Sequence, residues 1–265
     1  MDLGLSNARV VITGGASNIG RGIVHEFAAE GARIVLNDID APQAEKVRDE
    51  ALALGAAAVE LAIEDLAVAG GAERAIGVAA SQWGGVDVLV NNAGWSVPGF
   101  VATDTDRQKW QRTVEVNFFS AVAATQAAIG PMKDAGEGAI VFIASDAAFG
   151  QIRQGIYGAT KAAMVAFART TAREHGRHGI RSNIVCPGLV MPEGPEAVGA
   201  ASLWSVGEDE VFNPKQIDFM LKDTPMRRLT TAEDVARSVL WFASPKAARQ
   251  VTGQMISVSG GYTMP

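Results

Sequence analysis

The sequence holds a single cysteine, Cys186, among 265 residues. An intrachain disulfide is therefore excluded, no Cys/His cluster has zinc-ligand spacing, and no metal is expected. A lone thiol fits a reducing compartment. No apolar run nears the roughly 20 residues a membrane-spanning helix needs. The opening MDLGLSNARVVITGG has no charged segment followed by an apolar stretch of the kind a secretory signal requires. The expectation is a cytoplasmic protein without membrane contact. Long basic runs are missing as well, and the net charge is -6. That leaves no footprint for nucleic acid. An anionic cofactor stays possible, because backbone dipoles bind phosphate without basic side chains. No Pro/Ser-rich linker breaks the chain, so residues 1–265 are expected to form one domain.

What the chain does have is 29 glycines, many alanines and 48% hydrophobic residues. Small residues let helices and strands approach closely. Short β-branched runs alternate with longer Ala-rich amphipathic segments. The runs predict strands at Arg9–Thr13, Arg33–Asn37, Ala57–Leu61, Val86–Val90, Ala139–Ile143, Arg181–Val185 and Gln254–Val258. Helices are predicted at Ile19–Glu30, Pro42–Leu54, Val68–Trp83, Asp106–Asp134, Ile156–His178 and Ala232–Phe242. The strands are nearly continuously apolar, which marks strands buried on both faces of a parallel sheet. The expected fold is an α/β, doubly wound Rossmann-type domain: a seven-stranded parallel sheet with helices on both faces. The stretch from about 190 to 228 breaks the alternation. It is rich in Pro and Gly, with Trp204, Phe212, Phe219 and Met220 interspersed. Long irregular segments in compact domains are usually functional, and this one is expected to be a substrate lid.

Thr13 to Gly22, TGGASNIGRG, opens the first helix after the first strand. Glycine lets the backbone approach a pyrophosphate, and the helix N-terminus offers it free N–H groups. Gly14 and Gly20 are the outer glycines. Asn18 stands where a middle glycine is expected, and Asn tolerates left-handed geometry best among the other residues. Asp38 ends the second strand about twenty residues beyond the loop, where a carboxylate binds an adenosine ribose. It would repel a 2′-phosphate, and Ser17 sits where a basic residue could have welcomed one. NAD is expected over NADP. Asp40 is a weaker alternative for the same role.

YGATK places Tyr157 and Lys161 four apart, on one helix face. A lysine ammonium near a phenol favours the phenolate, so Lys161 is expected to lower the pKa of Tyr157. Ser145 ends the fifth strand at the carboxyl edge of the sheet, where ligands bind in open α/β folds. Its hydroxyl could orient a substrate oxygen. Asn117 falls inside the long fourth helix, where a buried amide needs partners; a structural or relay role is expected.

These motifs, with NNAG, VEVNFF, NIVCPG and VTGQMISVSGG, run in order along essentially the whole chain. The chain resembles the short-chain dehydrogenase/reductase family. The resemblance implies catalysis by Asn117, Ser145, Tyr157 and Lys161. Tyr157 would be the general acid/base, and Lys161 would also hold the nicotinamide ribose. Asn117 would hold a relay water. It further implies cofactor contacts at Gly14, Ser17, Asn18, Ile19, Gly20, Asp38, Ile39, Asp65, Leu66, Asn92, Ala93, Gly94, Pro187, Gly188 and Val190. A homotetramer is also implied, through the long helices and the last strand. There are three departures: Asn18, Pro192 where a cofactor-binding Thr often stands, and a Ser145-to-Tyr157 stretch one residue short.

Substrate contacts are expected from Trp95, Phe149, Gln151, Gln154, Leu189 and Trp204, with Val97, Phe100 and Phe219 nearby. They are mostly apolar, so a hydrophobic or alicyclic secondary alcohol is expected. NNAGW, IASDAA and SVSGGYTM are similar to family members acting on a cyclic β-hydroxyacyl-CoA; a hydroxysteroid or free cyclic alcohol fits equally. The alternatives are an NADPH-dependent 3-oxoacyl reductase and a non-catalytic cofactor-sensing scaffold.

Overall fold

The computed structural model describes residues 2–206 and 214–265. Seven strands form one sheet: β1 (Arg9–Thr13), β2 (Arg33–Asp38), β3 (Ala58–Ile63), β4 (Val88–Asn91), β5 (Gly138–Ile143), β6 (Ile180–Pro187) and β7 (Met255–Val258). Their order is β3-β2-β1-β4-β5-β6-β7, and every pairing is parallel. The helices are α1 (Asn18–Ala29), α2 (Ala41–Leu54), α3 (Gly71–Trp83), α4 (Arg107–Val114), α5 (Ser120–Ala135), α6 (Gly155–His175), α7 (Pro214–Asp223) and α8 (Ala232–Ala243). The expected doubly wound fold is the one observed.

The continuous apolar strands have a direct explanation. Side chains alternate between faces, and both faces are covered. Val10, Ile12, Ile34, Leu36, Val88 and Val90 join residues of α1, α2 and α8 in one core. Val11, Val35, Leu89, Ile140 and Phe142 join α3, α5 and α6 in the other. Strand order reverses between β1 and β4, opening a crevice at their carboxyl ends.

One expected element differs. The long fourth helix is not continuous: a π-helical segment, Glu115–Phe119, separates α4 from α5. Such bulges shift the faces of a helix and often mark functional sites. Here the bulge carries Asn117. The expected lid contains short 3-10 turns at Pro195–Ala197 and Leu203–Val206, then α7. Residue Phe212 of that expectation lies outside the described residues.

Candidate active site

The crevice is a cavity of about 290 Å³ along the carboxyl edge of the sheet. Asp38, Asp65 and Leu66 line one end, the glycine-rich loop its floor, and Ser145, Tyr157 and Lys161 the other end. Ser17, Asn18, Ile19, Ile39, Asn92, Ala93, Gly94, Trp95, Pro187, Gly188 and Trp204 complete most of the wall. Val190 is not in the wall; its carbonyl accepts a hydrogen bond from Asn18 Nδ2 at 3.1 Å. Phe149, Gln151, Gln154 and Leu189 also lie outside it. Gln154 accepts from Ser96 Oγ at 2.9 Å, while Phe149 is solvent-exposed.

The loop is built by close approach. Gly14 has φ +62°, and a Cβ on it would fall 2.9 Å from Ala93 Cα. A Cβ on Gly20 would meet Gly14 O at 1.9 Å. Asn18 has φ +43°, the left-handed geometry expected of it. The first turn of α1 has no acidic residue and no side-chain cap, so its N–H groups remain for an anion. The Thr13 hydroxyl, which the sequence did not single out, accepts from the N–H of Asn92 at 2.9 Å and of Ala93 at 3.0 Å. Asn92 Nδ2 donates to the Thr13 and Gly14 carbonyls at 2.9 and 2.8 Å. These bonds lock the end of β4 onto the loop, so Asn92 acts through its scaffold.

Asp38 accepts from the N–H of Ala16 at 3.0 Å, Ile39 at 2.8 Å and Asp40 at 3.1 Å. Burial raises its pKa, and those three bonds oppose the rise. Asp40 instead caps α2, accepting from Gln43 N at 3.2 Å, which argues for Asp38 over Asp40 at the ribose position. Asp65 pairs with Arg112 at 2.9 Å. The Asn37 amide, another residue not singled out, donates to the carbonyls of Ala62 at 2.9 Å and Glu64 at 3.0 Å and so fixes the turn before Asp65. Gly199 donates its N–H to Ser17 Oγ at 2.9 Å.

At the other end, Lys161 is buried and donates from Nζ to Ile143 O at 2.7 Å. Nζ lies 5.6 Å from the Tyr157 ring centre. The expected downward pull of Lys161 on the phenol is not found: Lys161 is not among the groups that move it. Desolvation pushes Tyr157 up to about 12, against a hydrogen bond with Ser145. Desolvation likewise pushes Lys161 down to about 8. Asn117 is fully buried. Its Oδ1 accepts from Trp95 N at 2.6 Å, and its Nδ2 donates to Trp95 O at 2.9 Å and Thr160 Oγ1 at 3.1 Å. Both amide hydrogens are used while Oδ1 keeps one lone pair, and the side chain ties the loop after β4 to the π segment and to α6. The short Ser145-to-Tyr157 stretch is taken up by a 3-10 turn, Asp146–Phe149, and by positive φ at Gly150 and Arg153. Cys186 is buried, as a small core residue should be.

The residues fit a dinucleotide. The glycine cradle leaves no room for a Cβ, and the cavity reaches from Asp38 to Lys161. Among the described residues, no helix is long and apolar enough to cross a membrane.

Comparison with known proteins agrees with this geometry. Residues 14–263 match the adh_short_C2 family model, described as Enoyl-(Acyl carrier protein) reductase. The chain is 33% identical to the (2S)-[(R)-hydroxy(phenyl)methyl]succinyl-CoA dehydrogenase subunit BbsD of Thauera aromatica, covering 99% of each. It is 34% identical to the D-beta-hydroxybutyrate dehydrogenase of Rhizobium meliloti (strain 1021), covering 96% of this chain and 97% of the relative. A solved structure of a 7 alpha-hydroxysteroid dehydrogenase, complexed with NADH and 7-oxo glycochenodeoxycholic acid, superposes with TM-score 0.88 at 33% identity, covering 98% of this chain and 96% of that one. The chain belongs to the short-chain dehydrogenase/reductase family.

Proposed function

We propose that the protein is an NAD-dependent dehydrogenase that interconverts a secondary alcohol and a ketone on a hydrophobic or alicyclic substrate. One observation carries this reading. A single cavity has Ser145, Tyr157 and Lys161 at one end and the acidic side chains of Asp38, Glu64 and Asp65 at the other. Among the described residues, the basic ones in its wall are Arg112 and Lys161; the first is paired with Asp65 and the second is at the far end. A 2′-phosphate beside Asp38 would meet repulsion without compensation. This argues for NAD and against an NADPH-dependent 3-oxoacyl reductase.

Bound NAD supplies the hydride acceptor. Gly14, Ser17, Asn18, Ile19 and Gly20 would hold its pyrophosphate; Asp38 and Ile39 the adenosine ribose; Asp65 and Leu66 the adenine. Asn92, Ala93 and Gly94 would flank the adenosine side, and Lys161, Pro187, Gly188 and Val190 the nicotinamide side. Tyr157 Oη takes the proton of the substrate hydroxyl in oxidation and returns it in reduction. Ser145 Oγ fixes the substrate oxygen beside it. The Lys161 ammonium favours the charged phenolate. Asn117 is a positioning residue that keeps Trp95 and α6 in register. Trp95 and Trp204 provide apolar wall, while Phe149, Gln151, Gln154 and Leu189 lie outside it.

Two of the relatives favour an apolar substrate, one named for a phenyl-bearing hydroxyacyl-CoA and another complexed with a bile acid, whereas a third is named for the small hydroxybutyrate. A cyclic β-hydroxyacyl-CoA, a hydroxysteroid or a cyclic alcohol remain the classes to test. We place the protein in the cytoplasm as a homotetramer. Phe119 on the π segment, 57% exposed, supports burial against a second copy; light scattering at the monomer mass would refute it.

The test is NADH formation from NAD across those three classes. Tyr157→Phe should lose at least about a thousandfold in kcat while NAD affinity stays within about threefold. Catalytic efficiency with NADP equal to that with NAD would overturn the cofactor assignment. Activity confined to small polyols would overturn the substrate class, and retained turnover in the variant the role of Tyr157.

A further inference from the structure

Asp146 follows Ser145 directly and is buried, 7% exposed. The mechanism above does not use it. Ser145 Oγ donates to its Oδ1 at 3.2 Å. Its Oδ2 is buried without a hydrogen-bond partner. An orphaned buried carboxylate oxygen is costly and calls for a reason. The groups facing it are Tyr157 on α6, Cys186 on β6 and Tyr262 in the C-terminal segment. None of these is a cation. Lys161, the nearby cation on α6, is directed to Ile143 O, and no basic group is among the influences on Asp146. Burial pushes Asp146 up to about 6, so its proton is exchanged within the physiological range.

A serine hydroxyl has one proton to donate. Ser145 Oγ already accepts the Ala147 N–H at 3.1 Å, which leaves one lone pair for the Tyr157 hydroxyl or for a ligand that takes its place. While Asp146 is ionised, Ser145 donates to Oδ1 and can only accept from a ligand. That suits a substrate hydroxyl. Once Asp146 is protonated, its carboxyl can donate to Ser145 Oγ. The serine proton is then released into the cavity, which suits a ketone oxygen.

We propose that Asp146 is a positioning residue that sets the hydrogen-bond polarity of Ser145, preparing the site for an alcohol when ionised and for a ketone when protonated. The consequence for substrates rests on the dehydrogenase reading; the switch itself does not.

The chain has only two tyrosines, Tyr157 and Tyr262. Tyrosine labelled with 13C at Cζ therefore gives two signals in the full-length protein, assigned with Tyr157→Phe. The Tyr157 signal should inflect with a midpoint near pH 6 between pH 5 and 7.5. Asp146→Asn should abolish the inflection, and Asp146→Ser should do the same if the asparagine variant does not fold. Ser145→Ala should cut its amplitude by more than half, because the effect passes through the hydroxyl. An inflection that survives in Asp146→Asn, or one of full size in Ser145→Ala, overturns the proposal. In turnover at saturating cofactor, the ratio of ketone KM to alcohol KM should rise about tenfold over the same range, one hydrogen bond's worth. It should stay flat in Asp146→Asn; a wild-type ratio that does not move overturns the proposal equally. If no alcohol or ketone is turned over, the dehydrogenase reading fails, and the tyrosine signal still decides this one.

Discussion

Lys161→Met should make the protein more stable and nearly inactive. Lys161 is 2% exposed, with one hydrogen bond, to Ile143 O. Its pKa falls from 10.5 to about 8 on desolvation. At about 1.4 kcal/mol per pH unit, keeping this lysine charged in the fold costs about 3 kcal/mol. Methionine has a similar length and no charge. It leaves the Ile143 carbonyl without a partner, which takes back about 1 kcal/mol. The net gain is about 2 kcal/mol, or about 4–6 °C in Tm for a chain of this size. The pH dependence supplies the sharper test. Below pH 8 the lysine is charged in both folded and unfolded chains, so the full penalty applies. Between pH 8 and 10.5 the unfolded chain binds more protons than the folded one, and wild-type stability rises with pH. The advantage of the variant should therefore shrink, by about 1 kcal/mol at pH 9. Calorimetry of both proteins without cofactor at pH 7 and 9 reads this directly. A variant that melts below wild type at pH 7, or a gap that does not change by pH 9, would refute the reasoning.

Two further substitutions probe the cofactor end. Gly20→Ala puts a methyl group 1.9 Å from Gly14 O, so the loop must open; NAD affinity by calorimetric titration should fall about a hundredfold or more, and unchanged binding would show that the loop does not carry the pyrophosphate. Asp38→Asn removes the charge and keeps one of the two acceptor oxygens, which can still serve the N–H groups of Ile39 and Asp40 but leaves that of Ala16 facing an amide nitrogen; the NADP-to-NAD ratio of kcat/KM should rise about tenfold, and no change would mean that Asp38 does not face the ribose.

Much of this was readable in residue order. Strands buried on both faces leave an apolar run that survives any detail of packing, so the sheet and its winding followed from RVVIT, RIVLND and AIVFI. Backbone demands at the loop leave equally local marks: Gly20 has no room for a Cβ, and Asn18 takes a positive φ. What was hidden depends on distant partners. The Thr13 hydroxyl matters because it meets Asn92 and Ala93, about eighty residues away. Asn37 matters because it reaches across β3. The π segment leaves no periodic signature, since one inserted residue in an apolar helix merely rotates a stripe. Asp146 was passed over inside a motif because its significance lies in an oxygen that bonds to nothing. Of the apolar residues assigned to substrate, Trp95 and Trp204 face the cavity and Phe149 does not, a difference set by loop geometry that composition cannot encode.

At the Ser145–Tyr157–Lys161 end of the cavity, burial opposes the charged forms of both Tyr157 and Lys161. Tyr157 stands at about 12. Working near pH 8 would require a fall of about four pH units, about 5 kcal/mol. The value of about 12 already holds the influence of the groups around the phenol, and Lys161 is not among those that lower it. Lys161 itself keeps its charge only up to about pH 8. Under the proposed function, a positively charged nicotinamide ring entering the cavity would favour the phenolate, which argues for cofactor binding before alcohol.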